Sequence, residues 1–209
     1  MSLKSIGDLF FYEENCGAAS RGFGPIFYGL YASKGFLARQ AWEKRGLISK
    51  MILPGSQPVL DPYSDVDFVA AAYVERFRNG VAVLKNIAAS GGYGPTMYAC
   101  LIQMISDDGP GFFYPSQVKG EIVDASIKIW RRFHDNCDLI DIKHEGADGP
   151  HSEPWLNCGY RVKSEPLIDL APARARYKTY VSLIPPRAEG TIRDLAFDFC
   201  QASVRAYKK

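Results

Sequence analysis

The chain has 209 residues, 47% of them hydrophobic and 23% charged, which predicts one globular domain spanning residues 1–209. Its 25 basic and 23 acidic residues leave a net charge of +2, too small to support nucleic-acid binding driven by phosphate contacts. The five cysteines are odd in number and contain no C-x-x-C pair, which argues against a disulfide framework and a cysteine zinc site.

The N-terminal sequence MSLKSIGDLFFYEEN carries acidic residues before any long apolar stretch appears. No window approaches the roughly 18 apolar residues of a membrane span. We therefore expect a soluble, cytoplasmic protein with no membrane partner and with free thiols in a reducing compartment. These thiols are Cys16, Cys100, Cys137, Cys158 and Cys200.

The first third of the chain predicts a strand, an irregular stretch, a helix and a loop. Leu9–Tyr12 (LFFY) has the aromatic composition of a strand. Residues 17–36 are rich in glycine and aromatic residues, and we do not expect them to form one regular element. Residues 36–47 predict an amphipathic helix, and the prolines of residues 54–62 predict a loop.

The next segment, DVDFVAAAYVERFRNG (65–80), predicts a helix ended by Gly80. Its apolar stripe comprises Phe68, Ala71, Ala72 and Val74. A β-rich strand, Val81–Ile87, follows and leads into the turn GGYGP. Pro95 suits the first position of a helix because its missing N–H would have no partner there. That helix is apolar almost all round, which predicts burial inside a larger domain.

The second half predicts mixed strands and helices. The first element is a strand over 111–117, and Pro115 restricts its far end to a sheet edge or a turn. There follow an amphipathic helix over 121–134, three strands within 137–144, 159–163 and 177–184, and a last helix from Thr191. The predicted fold class is α/β or α+β, with a mixed central sheet flanked by helices in a single domain.

The glycines of the turn suggest a chemical role. Gly91, Gly92 and Gly94 would leave backbone N–H groups uncovered at the start of the buried helix. Together with the helix dipole, these donors form a site for an anion such as a pyrophosphate. Glycines at a helix start also serve turn geometry and close packing, so the motif alone leaves both interpretations open.

The segments IAASGGYGPTMYACLIQMI and VDASIKIWRRF give this part of the chain a family resemblance. The order of strand, glycine turn, helix, strand and amphipathic helix resembles the acyl-CoA-binding half of the GNAT-type N-acyltransferase superfamily. More narrowly, it resembles a divergent, often phage-encoded branch, which implies a host cytoplasm. The resemblance covers about residues 81–163 and implies a GNAT-like mixed sheet.

By this resemblance, the co-substrate would be acetyl-CoA or another acyl-CoA, with no metal. Its pyrophosphate would lie against Gly91, Gly92, Tyr93, Gly94 and Thr96. The thioester arm would run along the strand before the turn. The acyl group would then pass to an amine, on a small molecule or a protein, by direct attack.

The chain departs from the family pattern at two positions. Ala89 stands where the motif usually begins with Gln or Arg, so one phosphate contact is missing. Trp130 stands where many members carry a tyrosine that protonates the departing thiolate, and Tyr98 and Tyr93 are possible replacements.

Deprotonation of the amine would require a base. Glu121, Asp124 and His134 lie in the right part of the chain, but each is most simply interpreted as a solvated surface residue. The catalytic residues stay unassigned.

Other functions compete with acyl transfer. Gly55 and Ser56 followed by Asp65 and Asp67 match a nucleotidyltransferase pattern in which the carboxylates share Mg²⁺. That pattern requires the aspartates on a strand, whereas the segment predicts a helix with both in its first turn.

Two further interpretations stay open. A histidine and carboxylate metal cluster can be drawn from Asp141, His144, Glu145, Asp148 and His151, but its spacing matches no metal motif. The chain could also be a non-catalytic structural or virion-associated interaction protein on the same fold. In that case the aromatics between Phe23 and Phe36 would form a partner surface.

Overall fold

The computed structural model describes residues 2–15, 24–33, 66–90, 92–118, 122–144 and 149–181. These residues form one mixed sheet flanked by α-helices, which confirms the predicted fold class and is consistent with a GNAT-like arrangement. The elements are β1 (Phe10–Asn15), β2 (Gly24–Ser33), β3 (Val66–Arg76), β4 (Ala82–Ala89), α1 (Gly94–Asp107), β5 (Phe113–Tyr114), α2 (Asp124–His134), β6 (Ile140–His144), β7 (Cys158–Val162) and α3 (Ala171–Val181), with a 3₁₀ turn at Pro154–Asn157.

The seven described strands lie in the order β1-β2-β3-β4-β5-β7-β6. Every neighbouring pair is antiparallel except β4 and β5, which run parallel. A parallel pair needs a crossover connection, and here α1 provides it. β4 therefore leads directly into the glycine turn and then into α1.

The core lies between the sheet and α1. Every residue from Thr96 to Ile105 is buried, so the prediction of a helix buried all round is confirmed. The predicted strands around Leu9–Tyr12 and Val81–Ile87 are also confirmed as β1 and β4. The amphipathic helix predicted over 121–134 is α2, which buries Trp130 and Phe133.

The helix predicted over residues 65–80 is wrong, because this segment contains the strand β3. β3 lies between β2 and β4, and Ala70, Ala71 and Ala72 are all fully buried. A strand covered on both faces shows no alternation of polar and apolar residues. Its run of alanines therefore resembled the apolar stripe of a helix, because a short apolar run fits the periodicity of a helix and that of a buried strand equally well.

The glycine-rich stretch contains a regular strand that the sequence did not predict. β2 is a continuous ten-residue strand, and its Tyr28 and Tyr31 are fully buried. A Cβ on Gly29 would lie 2.5 Å from the ring of Phe68, so the glycine makes room for that ring. Because Tyr28 and Tyr31 belong to the core, the aromatics cannot all form a partner surface as we suggested.

The strand predicted over 177–184 is also wrong, since residues 171–181 form α3. The Asp169 carboxylate accepts the N–H of Ala171 at 3.0 Å and so caps the helix start, and Pro172 lies in the first turn. Both of these helix-start signals are visible in the sequence, and they outweigh the β-rich composition of the residues that follow.

Several predictions concern residues outside the described ranges, namely the helix over 36–47, the loop over 54–62 and the helix from Thr191. The strands predicted within 137–144 and 159–163 are confirmed as β6 and β7. Among the described residues, no helix is both long enough and apolar enough to cross a membrane.

Candidate functional site

The parallel pair β4–β5 is short, because β5 has only two residues. The two strands are paired only at Ala82 with Phe113 and at Val83 with Tyr114. From Leu84 to Ala89, β4 has no described partner strand on that side. At about 3.3 Å per residue, this free edge is roughly 17 Å long. We call this free edge of β4, from Leu84 to Ala89, the β4–β5 gap, and the end at Val83, where the pairing with β5 stops, the vertex.

The glycine turn lies at the far end of the free edge. The N–H of Ser90 donates to Val69 O at 2.8 Å, which holds the end of β4 to β3. The N–H of Tyr93 donates to Ser90 O at 3.0 Å and closes the turn. Gly92 has a φ of +80°, in the left-handed region that favours glycine. The turn therefore has a defined backbone conformation.

The first N–H groups of α1 differ in their hydrogen bonding and their exposure. Among the described residues, the amides of Gly94 and Thr96 donate to no backbone or side-chain acceptor. Pro95 has no N–H at all, and the helix dipole adds positive potential at this end. The amide of Tyr93 is already used within the turn, so only part of the predicted donor set is free.

The N-terminal segment covers one side of the turn. The N–H of Lys4 donates to Thr96 Oγ1 at 2.8 Å, although the two residues are far apart in sequence. The Lys4 ammonium lies 5.0 Å from the ring centroid of Tyr93, and its Cε would be 3.3 Å from a Cβ on Gly92. Lys4 therefore adds an exposed cation beside the turn. Sequence reasoning missed it because only the tertiary structure brings it there.

The structure places the predicted cofactor residues in different environments. Gly92 is exposed, Tyr93 and Gly94 are half-buried, and Gly91 lies outside the described residues. Thr96 is fully buried, and its hydroxyl anchors the N-terminal segment. The Thr96 side chain is thus committed to a structural contact, and its amide is buried with the rest of the residue.

Gly94 lets α2 approach the turn closely. A Cβ at this position would lie 3.3 Å from Ile129 Cδ1 and 4.0 Å from the Cβ of Ala89. The same face of α1 therefore meets both the end of β4 and the middle of α2.

No family model, curated protein or solved structure matches the chain.

Tyr98 lies one helical turn after Gly94 and packs against Trp130 of α2. Their ring centroids are 4.9 Å apart with nearly perpendicular planes. Burial raises the pKa of Tyr98 to about 12, although neighbouring Ser126 and Trp130 oppose the rise. Of the two suggested replacements for a tyrosine at position 130, Tyr98 is the one in contact with Trp130.

The proposed bases are not brought together. Asp124 is exposed at the start of α2, His134 ends the same helix, and Glu121 lies outside the described residues. Ten residues of helix separate Asp124 from His134 by roughly 15 Å. His134 instead faces His144, with ring centroids 5.8 Å apart. Burial and His144 lower the pKa of His134.

The metal cluster drawn from the loop is not assembled among the described residues, where no group of three such side chains could hold a metal ion. Asp141 pairs with Arg161 at 2.6 Å. His144 Nδ1 lies 3.2 Å from Cys158 Sγ, and His151 Nε2 lies 2.6 Å from Ser116 O. Glu145 and Asp148 lie outside the described residues.

The nucleotidyltransferase pattern has one member in the described part of the chain. Asp67 is exposed on the strand β3. The helix that we expected here, which argued against the pattern, is therefore absent. Gly55, Ser56 and Asp65 lie outside the described residues.

Proposed function

We propose that the chain is an acyltransferase-like protein that binds acetyl-CoA or another acyl-CoA and passes the acyl group to an amine. The observation that supports this proposal most strongly is the β4–β5 gap. An unpaired strand edge presents backbone N–H and C=O groups that an extended, amide-containing ligand can pair with. The pantetheine arm of an acyl-CoA is such a ligand.

The turn supplies the second part of the proposed site. The diphosphate would lie at the start of α1, where the half-buried amide of Gly94 and the dipole favour an anion. Lys4 would add a positive charge at this end. The arm would then run from the turn along Leu84–Ala89 towards the vertex.

The proposed reaction joins two substrates in the gap. The neutral amine nitrogen attacks the thioester carbon and forms the new C–N bond. The C–S bond breaks, its electron pair leaves with the sulfur, and the amine loses one proton. The products are an amide and the free CoA thiol.

Isothermal titration calorimetry and thermal denaturation with acetyl-CoA test the proposal. At 100 times the dissociation constant, a ligand stabilises the folded state by about 2.7 kcal/mol. For a chain of this size, that corresponds to a rise in Tm of roughly 5–10 °C. S-acetylpantetheine, which lacks the nucleotide diphosphate, should bind at least about tenfold more weakly, a loss of about 1.4 kcal/mol. Absence of heat and of a thermal shift at millimolar acetyl-CoA would overturn the proposal.

A non-catalytic interaction protein on the same fold is the second candidate. It is favoured by the exposed Ala89 beside the turn, which lacks a polar group for the phosphate, and by Trp130, which lacks an acidic proton for the thiolate. This candidate predicts that neither acetyl-CoA nor Mg²⁺ with ATP binds, while the protein is recovered in a stable complex.

A nucleotidyltransferase is the third candidate, favoured by the position of Asp67 on a strand. It predicts Mg²⁺-dependent ATP binding that is lost in Asp67→Asn. Asp8→Asn, another exposed aspartate, is the matched control and should leave that binding unchanged.

A further inference from the structure

A groove lies between the second half of α1, the segment 166–170 and the first two turns of α3, and we call it the α1–α3 groove. Its volume is about 470 Å³, which is within the range of small-molecule pockets. None of its residues belongs to the glycine turn or to the β4–β5 gap. The greater part of its wall is apolar and is formed by Pro166, Ile168, Leu170, Ala171 and Ala175.

Gln103 fixes the shape of the groove by joining two of its sides. Its side-chain Oε1 accepts the N–H of Leu167 at 2.8 Å, and its Nε2 donates to Asp107 Oδ1 at 2.7 Å. Gln103 is only 7% exposed, so its hydrogen bonds are largely shielded from water. The segment that leads into α3 is therefore held against α1, and the groove is formed before any ligand binds.

The two carboxylates of the groove already have partners within the protein. Asp107 accepts the hydrogen bond from Gln103, and Asp169 accepts the N–H of Ala171 at the start of α3. The amide group of Gln103 uses both its oxygen and its nitrogen. These three side chains build the groove, and each is at least partly satisfied without a ligand.

The two cations of the groove, by contrast, have donors to spare. Arg174 is half-buried and directs Nη2 to Glu13 at 3.2 Å, which uses one of the five N–H groups of a guanidinium. Lys178 is exposed and forms no ion pair with any residue that the structure describes. Helix residues at i and i+4 lie about 5–6 Å apart on one face, so both cations can reach the same ligand group.

We infer that the α1–α3 groove binds the carboxylate of a small organic acid whose apolar part lies against the groove wall. A carboxylate can accept two parallel hydrogen bonds from Arg174 while pairing with the ammonium of Lys178. Asp107 and Asp169 balance these two cations, so the groove is electrically neutral and favours a single negative charge over a multiply charged anion. Such an acid would bind whether or not the chain is an acyltransferase.

Three probes separate the contribution of the charge from that of the apolar chain. Hexanoate carries both a carboxylate and an apolar chain, hexylammonium has the same chain with a positive head, and inorganic phosphate has no chain. At neutral pH, we expect hexanoate to have the lowest dissociation constant of the three. The measurement is a titration of the full ¹⁵N-labelled chain followed by two-dimensional NMR, in which the amides around Leu167 and Lys178 should shift.

Two variants test the charge and the wall separately. Lys178→Gln should raise the dissociation constant of hexanoate at least about threefold, the size of effect measured for exposed charge pairs, and Lys178→Arg should restore it. Ala175→Leu keeps a good helix former and the same charge but narrows the groove, so it should also weaken binding. Lys128→Gln, an exposed lysine of α2, is the matched control and should bind hexanoate like the wild type.

The variants should keep the Tm of the wild type, because both residues are exposed and Lys178 has no pair to lose. A loss of hexanoate binding at an unchanged Tm therefore reports on the groove and not on unfolding. Equal affinity of the wild type, Lys178→Gln and Ala175→Leu would overturn the inference, and so would tighter binding of hexylammonium or phosphate. Absence of amide shifts at millimolar hexanoate would also overturn it. Each of these results would leave the proposed function standing, since acetyl-CoA binding is measured separately.

Discussion

Replacement of Gly92 by alanine tests the conformation of the turn on which the proposed anion site depends. Gly92 has a φ of +80°, and a side chain in this left-handed region costs roughly 1–2 kcal/mol. The new Cβ would lie 3.3 Å from Lys4 Cε, the far end of a flexible and exposed side chain that can move away. The expected loss is therefore conformational rather than steric.

The assay is urea denaturation followed by circular dichroism, with a thermal scan in parallel. A loss of about 1–2 kcal/mol corresponds to a fall in Tm of roughly 2–8 °C for a chain of this size. Gly92→Asn should lose less, because asparagine tolerates the left-handed conformation better than alanine does. The expected order of stability is glycine, asparagine, alanine.

Gly7→Ala is the control for this series. A Cβ there would lie 3.4 Å from Ser5 Oγ, an ordinary contact, so we expect a change below about 0.5 kcal/mol. If Gly92→Ala were as stable as the wild type, the turn would not hold the left-handed conformation. The orientation of the amides at the start of α1 would then lose its support.

Three further predictions concern packing, pH and charge. Gly159→Ala would place a Cβ 2.4 Å from the Tyr114 ring, so we expect overpacking to lower the free energy of unfolding by about 1–3 kcal/mol in urea denaturation. Because the folded state holds His134 below its ordinary pKa of 6.5, the unfolded chain takes up the proton first as the pH falls. In urea titrations, stability should therefore be complete well above pH 6.5 and decline as the pH falls below it, and the decline should be less steep in His134→Gln. Lys4→Gln should weaken acetyl-CoA binding and reduce its salt dependence in calorimetry, whereas Lys178→Gln should do neither. Unchanged stability of Gly159→Ala would contradict the prediction on packing, and a flat pH profile of stability would contradict the prediction on His134. Equal effects of Lys4→Gln and Lys178→Gln on acetyl-CoA binding would contradict the prediction on charge.

The outcome at β3 shows why part of the fold could not be predicted from the sequence. The apolar run around Ala70–Ala72 fits either a helix stripe or a strand buried on both faces. Only pairing with β2, which comes from a distant part of the chain, and with β4, the next strand, selects the strand. For α3, by contrast, Asp169 and Pro172 are local start signals, and the strand prediction underweighted them.

Part of the candidate site could likewise be predicted from the sequence, and part could not. The sequence predicted the turn, the helix start at Pro95 and the burial of the helix, because glycine, proline and a continuous apolar run act locally. It did not predict Lys4 beside the turn or the contact between Tyr98 and Trp130. Both depend on residues that are distant in sequence and meet only in the folded chain.

The sequence by itself determined the composition of a single α+β domain and the position of a glycine turn between a strand and a buried helix. Only the tertiary structure decided that β4 and β5 separate after two residue pairs, because strand pairing is a long-range property of the sheet. It also decided that Lys4 lies beside the turn, since the N–H of Lys4 donates to the Thr96 hydroxyl. Local propensities determine elements, whereas the space between them depends on how those elements pack.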